Sequence, residues 1–189
     1  MIPAETEASL ITQAQGGDRS AFGELVRRHQ AGVVNVVYRL CGDVQLAEDA
    51  AQEAFIRAWL NLATYRPTSP LRNWLYRIAV NAALDALRRK PEMSLEDVRL
   101  VIEDEAHPGP ENILIRRERA AQVKQAVLSL TPANRAVLIL REYEDMSYQE
   151  IASTLDIPIG TVMSRLNYAR NRLRELLKPA LMPTEAEDE

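Results

Sequence analysis

A basic and polar segment near the C-terminus carries the side chains that commonly contact nucleic acids. Residues 159–178 contain five Lys or Arg and one acidic residue. At helical spacing, Val162, Leu166 and Ala169 form a buried stripe and leave the polar residues on the other sides of the helix. Short polar groups can read base edges, and arginines can hold phosphates. The pattern predicts a DNA-contacting helix with the polar residues Thr161, Ser164, Arg165, Asn167, Tyr168, Arg170 and Arg172.

A second polar face combines an amide with several arginines. Steps of four, four and three residues place Arg77, Asn81, Asp85 and Arg88 on one side of a helix. An asparagine between arginines can hydrogen-bond to an exposed base while the arginines hold the nucleic-acid backbone. The alternative is a solvent-exposed face with ordinary pairs such as Asp85 with Arg88 or Arg89.

A third polar face is acidic and comprises Glu48, Asp49, Gln52 and Glu53. Nothing in the sequence supplies the further ligand or nucleophile that a catalytic or metal site needs. The face is therefore either solvated or a patch that docks a basic partner helix. The single cysteine, Cys41, and the two widely spaced histidines argue against a disulfide framework and a zinc site. We expect no cofactor, no metal and no catalytic residue.

Helices are the elements that must position these faces. Apolar residues recur every three or four positions over 46–62 and again from about 73 to 89, and Pro67 and Pro70 separate the two segments. Further along, Ser147 and Glu150 form the pattern of a capping box, which predicts a helix over 148–155. Asp156-Ile157-Pro158 then breaks that helix before the basic one begins. Two helices joined by so tight a turn are typical of a helix-turn-helix.

Charge divides the chain into four parts. Net charge is +2 over 1–91, −6 over 92–112, +4 over 113–178 and −4 over 179–189. Together with the periodicity, this predicts an all-α protein with two small domains, a flexible acidic linker over 92–112 and a disordered acidic tail over 179–189. The N-terminus lacks the features of a secretory signal, and no apolar run approaches the roughly 20 residues that span a bilayer. We therefore expect a cytoplasmic protein without membrane insertion.

Three segments, taken in order, resemble a known family. They are AEDAAQEAFIRAWLNL, NWLYRIAVNAALDALRRK and LTPANRAVLILREYEDMSYQEIASTLDIPIGTVMSRLNYARNRLREL. Together they resemble the bacterial sigma-70 factors of RNA polymerase, in particular the two-domain extracytoplasmic-function (ECF) group. The resemblance implies a sigma-2-like domain over 1–91 and a sigma-4-like helix-turn-helix domain over 113–178.

The resemblance also implies partners and roles. A non-enzymatic sigma factor would bind the β′ clamp helices and the β flap of core RNA polymerase, contact promoter DNA, and be held by an anti-sigma factor during a stress or envelope response. The polymerase would be contacted by Glu48, Asp49, Gln52, Glu53 and Arg57. The minus-ten DNA would be contacted by Tyr65, Arg72, Asn73, Trp74, Arg77, Asn81, Asp85, Arg88 and Arg89. The DNA-contacting helix over 159–178 would read the minus-thirty-five element.

Two other functions fit parts of the sequence. A ligand-responsive helix-turn-helix regulator would bind promoters without replacing the housekeeping sigma factor, but it leaves the segments 46–62 and 73–90 unexplained. A small helical DNA-processing enzyme would need a carboxylate or metal cluster, which the sequence does not offer.

Overall fold

The computed structural model describes residues 6–89 and 110–181, and within them all regular structure is helical. This confirms the all-α prediction. The described residues form two compact units, the first built mainly from the first four helices and the second mainly from the last four. Most of the predicted linker, 92–112, and most of the predicted tail, 179–189, lie outside the described residues.

The first unit contains α1 (Glu7–Gln15), α2 (Arg19–Cys41), α3 (Val44–Asn61) and α4 (Leu71–Arg89). Local signals set the ends of these helices. Asp18 caps α2 by accepting hydrogen bonds from the amides of Ser20 and Ala21. Gly42 ends α2 in the left-handed region, at φ 79°, which is a conformation that glycine adopts without strain. Asp43 then caps α3, so a two-residue turn reverses the chain between α2 and α3.

Small residues let the helices of the first unit pack closely. The buried face of α3 is built from Ala47, Ala50, Ala51, Ala54 and Ala58, and it packs against α2 and α4. Helix α2 also lies close to α4 at Gly32, where an added Cβ would be only 2.7 Å from the hydroxyl oxygen of Tyr76. The polar sides of α3 and α4 are thereby held next to each other on one rigid support.

The connection between α3 and α4 is fixed by side chains. A single 3₁₀ turn, Leu62–Thr64, follows α3. The Tyr65 hydroxyl donates to the carbonyl of Ser69 at 2.7 Å, and the Gln15 amide donates to the carbonyls of Leu62 and Tyr65 at 3.0 and 3.1 Å. Helix α4 starts two residues earlier than predicted, because the Pro70 carbonyl already accepts from the amides of the first turn.

The second unit contains α5 (Pro110–Leu128), α6 (Pro132–Glu142), α7 (Tyr148–Leu155) and α8 (Ile159–Leu181). Helix α5 begins three residues before 113, where the second domain was predicted to start, since proline is tolerated in the first turn, where its missing N–H has no helical partner. Helix α8 continues to Leu181, three residues into the predicted tail. Pro132 occupies the first turn of α6, and the Thr131 side chain makes no capping hydrogen bond.

The capping box before α7 is confirmed. The Ser147 amide donates to the Glu150 carboxylate at 2.8 Å, and the Glu150 amide donates to the Ser147 hydroxyl at 3.2 Å. Asp156 follows α7 with φ 55°, in the left-handed region that asparagine and aspartate tolerate better than most residues. The chain then turns at Pro158, whose carbonyl accepts from the amides of Thr161 and Val162 at the start of α8. The predicted helix-turn-helix is therefore present.

Candidate functional site

The outward face of α8 is polar and accessible. Ser164, Asn167 and Tyr168 are exposed, whereas Val162 and Leu166 are buried in the core of the second unit. The Ser164 hydroxyl donates to the carbonyl of Thr161 at 3.1 Å, so it is oriented by its own helix. These side chains stand within the first three turns of α8, the part of a recognition helix that normally faces base edges.

The other four residues of the predicted DNA-contacting set are Thr161 and three arginines. Thr161 and Arg165 are half-buried. The Nε and Nη2 atoms of Arg170 donate to the Glu142 carboxylate on α6 at 3.1 and 2.7 Å, and this hydrogen bonding raises the pKa of Arg170. Arg172 pairs with Glu175 at 3.2 Å on its own helix. Two of the three arginines in the predicted set therefore already have carboxylate partners.

Two further residues of α8 were missed. The Asn171 amide lies 3.5 Å from the Asn167 side-chain oxygen, and Arg174 donates to the Asn171 side-chain oxygen at 2.8 Å. A polar row therefore continues along the exposed face beyond Asn167. Steps of four and three residues from Asn167 were a readable signal, because they place Asn171 and Arg174 on the same side of the helix.

The exposed face of α4 combines Arg77, Asn81 and Arg88, with Arg89 beside them. Asp85 lies on the same face but is turned toward α3. Its carboxylate accepts from Arg88 and, at 3.4 Å, from Arg57. Hydrogen bonds from Arg88 and then Arg57 hold the pKa of Asp85 below its ordinary value. Asp85 therefore organises the arginines around it and presents no group that would attract a phosphate.

Four of the predicted minus-ten residues do not join that face. Tyr65 and Asn73 are only 4% and 3% exposed, so their side chains cannot contact DNA in this conformation. Burial also raises the pKa of Tyr65. Trp74 is half-buried, and its ring centroid lies 5.3 Å from that of Tyr65. Arg72 lies on the opposite side of α4 from Asn81, with its guanidinium 5.9 Å from the Tyr76 ring centroid.

The polar face of α3 presents acidic groups to solvent. Glu48, Asp49, Gln52 and Glu53 are exposed. Arg57, which was predicted to act with them, is half-buried. Its Nε donates to Glu53 at 2.8 Å while its Nη1 reaches Asp85 on α4. The structure therefore places Arg57 between α3 and α4, paired with Glu53 on one side and Asp85 on the other.

Two apolar residues extend the acidic face of α3. Ile56 and Leu60 are 51% and 73% exposed. They follow Asp49 and Glu53 by seven positions each, or nearly two full turns, so they lie on the same side of the helix. Sequence reasoning missed them because apolar residues were assigned to the core. Their spacing was the sequence signal, because Ile56 and Leu60 do not fall on the side of α3 that carries the buried alanines.

The second unit also contains an open groove between α5 and α8. It is lined by Ala121, Gln122, Gln125, Ala126, Ser129, Leu176 and Leu177. Val123 and Leu176 are unusually exposed for large apolar residues. The groove therefore offers a small apolar surface next to polar amides.

The described residues contain no cluster of three or more His, Cys, Asp or Glu residues arranged to hold a metal ion. Within the same residues, no helix has the length and apolar character needed to cross a membrane.

Comparison with known proteins identifies the family. The family model for Sigma-70 region 2 matches residues 25–91, and that for Sigma-70, region 4 matches residues 120–173. The RNA polymerase sigma-H factor of Pseudomonas aeruginosa is 37% identical, with 96% of this chain and 98% of that protein covered. The ECF RNA polymerase sigma-E factor of Escherichia coli K12 is also 37% identical, with 93% and 96% covered.

Solved structures agree with this result. CnrH, in complex with the cytosolic domain of CnrY, superposes with a TM-score of 0.67 at 28% identity and covers 90% of this chain and 96% of its own. The sigma factor RpoE of Bartonella quintana, in complex with the anti-sigma factor NepR, superposes with a TM-score of 0.63 at 27% identity and covers 83% and 96%.

The chain belongs to the sigma-70 family. Within that family it is an ECF RNA polymerase sigma factor, because several of its relatives carry that name and match along almost their whole length. The relatives favour this interpretation over the ligand-responsive regulator.

Proposed function

We propose that this protein binds core RNA polymerase and directs it to specific promoters. The observation that carries the proposal is the combination in one chain of an acidic and apolar face on α3, an Asn and Arg face beside it on α4, and a helix-turn-helix with a polar recognition helix. The polymerase supplies the chemistry, so the protein is not an enzyme. It acts in the cytoplasm, where the chromosome lies.

The core-docking surface is formed by Glu48, Asp49, Gln52, Glu53, Ile56 and Leu60 on α3. Its acidic part complements a basic partner, which gives specificity and a fast association. Its apolar part, Ile56 and Leu60, becomes buried on docking and supplies affinity. A helical partner such as the β′ clamp helices fits a surface that follows a single helix.

The melting face is formed by Arg77, Asn81, Arg88 and Arg89 on α4. Asn81 hydrogen-bonds to an unpaired base of the minus-ten element, and the arginines hold the sugar-phosphate backbone. Each duplex step is stabilised by roughly 1.4 kcal/mol of stacking, so opening several steps requires several captured bases as well as the polymerase's own contacts. The isolated factor therefore binds promoter DNA weakly.

The sigma-4-like domain contacts the minus-thirty-five element and the polymerase flap. Ser164, Asn167 and Tyr168 face the bases, and the arginines at the margins of α8 position the helix. The apolar groove between α5 and α8 receives the β flap. Because the core-docking surface and the melting face lie on α3 and α4, and the recognition helix is α8, we assign 1–91 to the sigma-2-like domain and 113–178 to the sigma-4-like domain.

An anti-sigma factor regulates the protein in this proposal. The support comes from CnrH and from RpoE of Bartonella quintana, whose structures were solved with CnrY and with an anti-sigma factor respectively. Release of such an inhibitor during stress or envelope damage would switch on the target promoters.

Run-off transcription tests the proposal. Core polymerase is incubated with the full chain and a library of genomic fragments from the source bacterium, and transcripts are sequenced from their 5′ ends. The expected result is a set of start sites, with shared upstream elements, that neither component produces alone. A chain that binds specific DNA fragments without polymerase, and yields no transcript with it, would instead be a ligand-responsive regulator.

A further inference from the structure

Four charged side chains form a continuous row between the two functional faces of the first unit. Glu53 accepts from Arg57 at 2.8 Å, Arg57 reaches Asp85 at 3.4 Å, and Asp85 accepts from Arg88. Glu53 belongs to the core-docking surface and Arg88 to the melting face. The two inner members, Arg57 and Asp85, have side chains only 32% and 29% exposed. We call the row Glu53–Arg57–Asp85–Arg88 the charge relay.

The relay couples the two faces through shared partners. Arg57 forms ion pairs with two carboxylates at once, and Asp85 forms ion pairs with two guanidinium groups at once. A basic side chain that pairs with Glu53 weakens the Glu53–Arg57 pair and leaves Arg57 to Asp85. Asp85 is then neutralised by Arg57, and its hold on Arg88 weakens. Arg88 is 78% exposed, so it needs no backbone movement to reach a phosphate.

We propose that Arg57 and Asp85 are positioning residues that withhold Arg88 from DNA until core polymerase engages Glu53. This inference rests on the proposed function, because it requires that α3 docks the polymerase and α4 holds DNA. It assigns to Asp85 a role opposite to a DNA contact, since its charge opposes phosphate and lowers the affinity of the free factor. The relay thereby favours binding to DNA after assembly of the holoenzyme.

The test compares Asp85→Asn with a matched control, Glu24→Gln. Glu24 on α2 also accepts from two arginines, Arg27 and Arg28, and its removal adds the same unit of positive charge on a helix that carries neither face. Fluorescence anisotropy measures binding of each full-length chain, free and as holoenzyme, to a labelled promoter fragment selected by the wild-type holoenzyme. Circular dichroism melting verifies that each variant is folded.

We expect Asp85→Asn to raise the DNA affinity of the free factor about two- to five-fold above the control, as for loss of an exposed ion pair. For the free factor, the slope of log K for DNA binding against log salt concentration becomes steeper by about 0.9, because one more arginine contacts phosphate. The holoenzyme changes less than two-fold, because docking has already released Arg88. Equal effects of Asp85→Asn and Glu24→Gln, or equal shifts in free factor and holoenzyme, would overturn the proposal.

A second variant keeps the test decisive if Asp85→Asn does not fold. Glu53→Gln removes the other carboxylate from Arg57, so it raises the DNA affinity of the free factor while weakening core binding. A free Glu53→Gln factor whose DNA affinity equals that of Glu24→Gln would overturn the relay without any use of Asp85→Asn. Where Asp85→Asn does fold, adding Glu53→Gln to it has no further effect on DNA affinity; additive effects contradict the relay. A wild-type chain that directs no transcription with core polymerase overturns the proposed function itself, whereas a transcribing wild type with additive variants overturns only the relay.

Discussion

Truncation of Leu60 tests the apolar half of the core-docking surface. Full burial of a leucine side chain contributes about 1.5–3 kcal/mol. Since Leu60 is 73% exposed, covering the remainder would contribute about 1–2 kcal/mol. Leu60→Ala keeps the Cβ, so we expect a loss of about 0.7–1.2 kcal/mol, with the Kd for core polymerase raised about 3- to 8-fold. The free energy of unfolding should change little, because the side chain makes almost no contact with the core.

Val44→Ala is the control, because Val44 also belongs to α3 and is 43% exposed but lies on nearly the opposite side of the helix. Titration of fluorescently labelled chain with core polymerase gives the Kd of each variant, and circular dichroism gives its thermal stability. If both truncations alter the Kd by the same factor, Leu60 is not covered on docking, and the surface must be reassigned to its acidic residues alone.

Four other predictions concern separate parts of the molecule. Combined reversal of Asp49 and Glu53 to Arg weakens core binding without lowering the melting temperature, and unchanged core affinity would remove the acidic face from the interface. Asn81→Ala reduces permanganate reactivity of unpaired promoter thymines more than it reduces core binding, and normal melting would argue against base capture. Ser164→Ala changes the upstream element selected from a randomised library at a cost of about 1–3 kcal/mol per lost base contact, and an unchanged consensus contradicts base reading. Arg135→Met lowers the free energy of unfolding by about 2–5 kcal/mol, measured by urea denaturation, because buried carbonyls lose a charged donor; a change under 0.5 kcal/mol would refute that account.

The Arg135 prediction depends on a contact at the end of α5. Its side chain is 7% exposed, and its guanidinium donates to the carbonyls of Leu128 and, at 2.8 Å, Leu130. Carbonyls at the end of a helix have no partner within the helix, and a positive charge there also interacts favourably with the helix dipole. The sequence shows only an arginine within an apolar helix, so this role becomes visible only once α5 and α6 are packed together.

Local signals predicted the helices that have strong caps or breakers. Helix α7 was predicted residue for residue, because the capping box at Ser147 defines its start and the Asp156-Ile157-Pro158 sequence its end. The start of α4 was displaced by two residues, since a proline carbonyl can accept the first helical hydrogen bonds. Helices α1 and α2 were not delimited, although Asp18 and Gly42 carry ordinary cap signals.

Contacts between helices were beyond sequence reasoning. The faces on α3, α4 and α8 follow from a period of 3.6 residues, which acts within one helix. The pairs Arg57–Asp85 and Arg170–Glu142 join helices whose packing depends on the whole core. The burial of Asn73 has the same origin, because polarity alone suggested an exposed residue. Tertiary packing therefore decides which polar residues of a predicted face are available to a partner.

The connection between α3 and α4 is already ordered before the protein meets DNA. Three side-chain hydrogen bonds, from Tyr65 and Gln15, order this segment while the protein folds. A loop that becomes ordered only on contact with DNA would lose conformational entropy in every binding event, and that loss would weaken binding. In this protein the conformational entropy of the connection is lost once, during folding. Helix α1 is far along the chain from the melting face, but it helps to order the connection through Gln15.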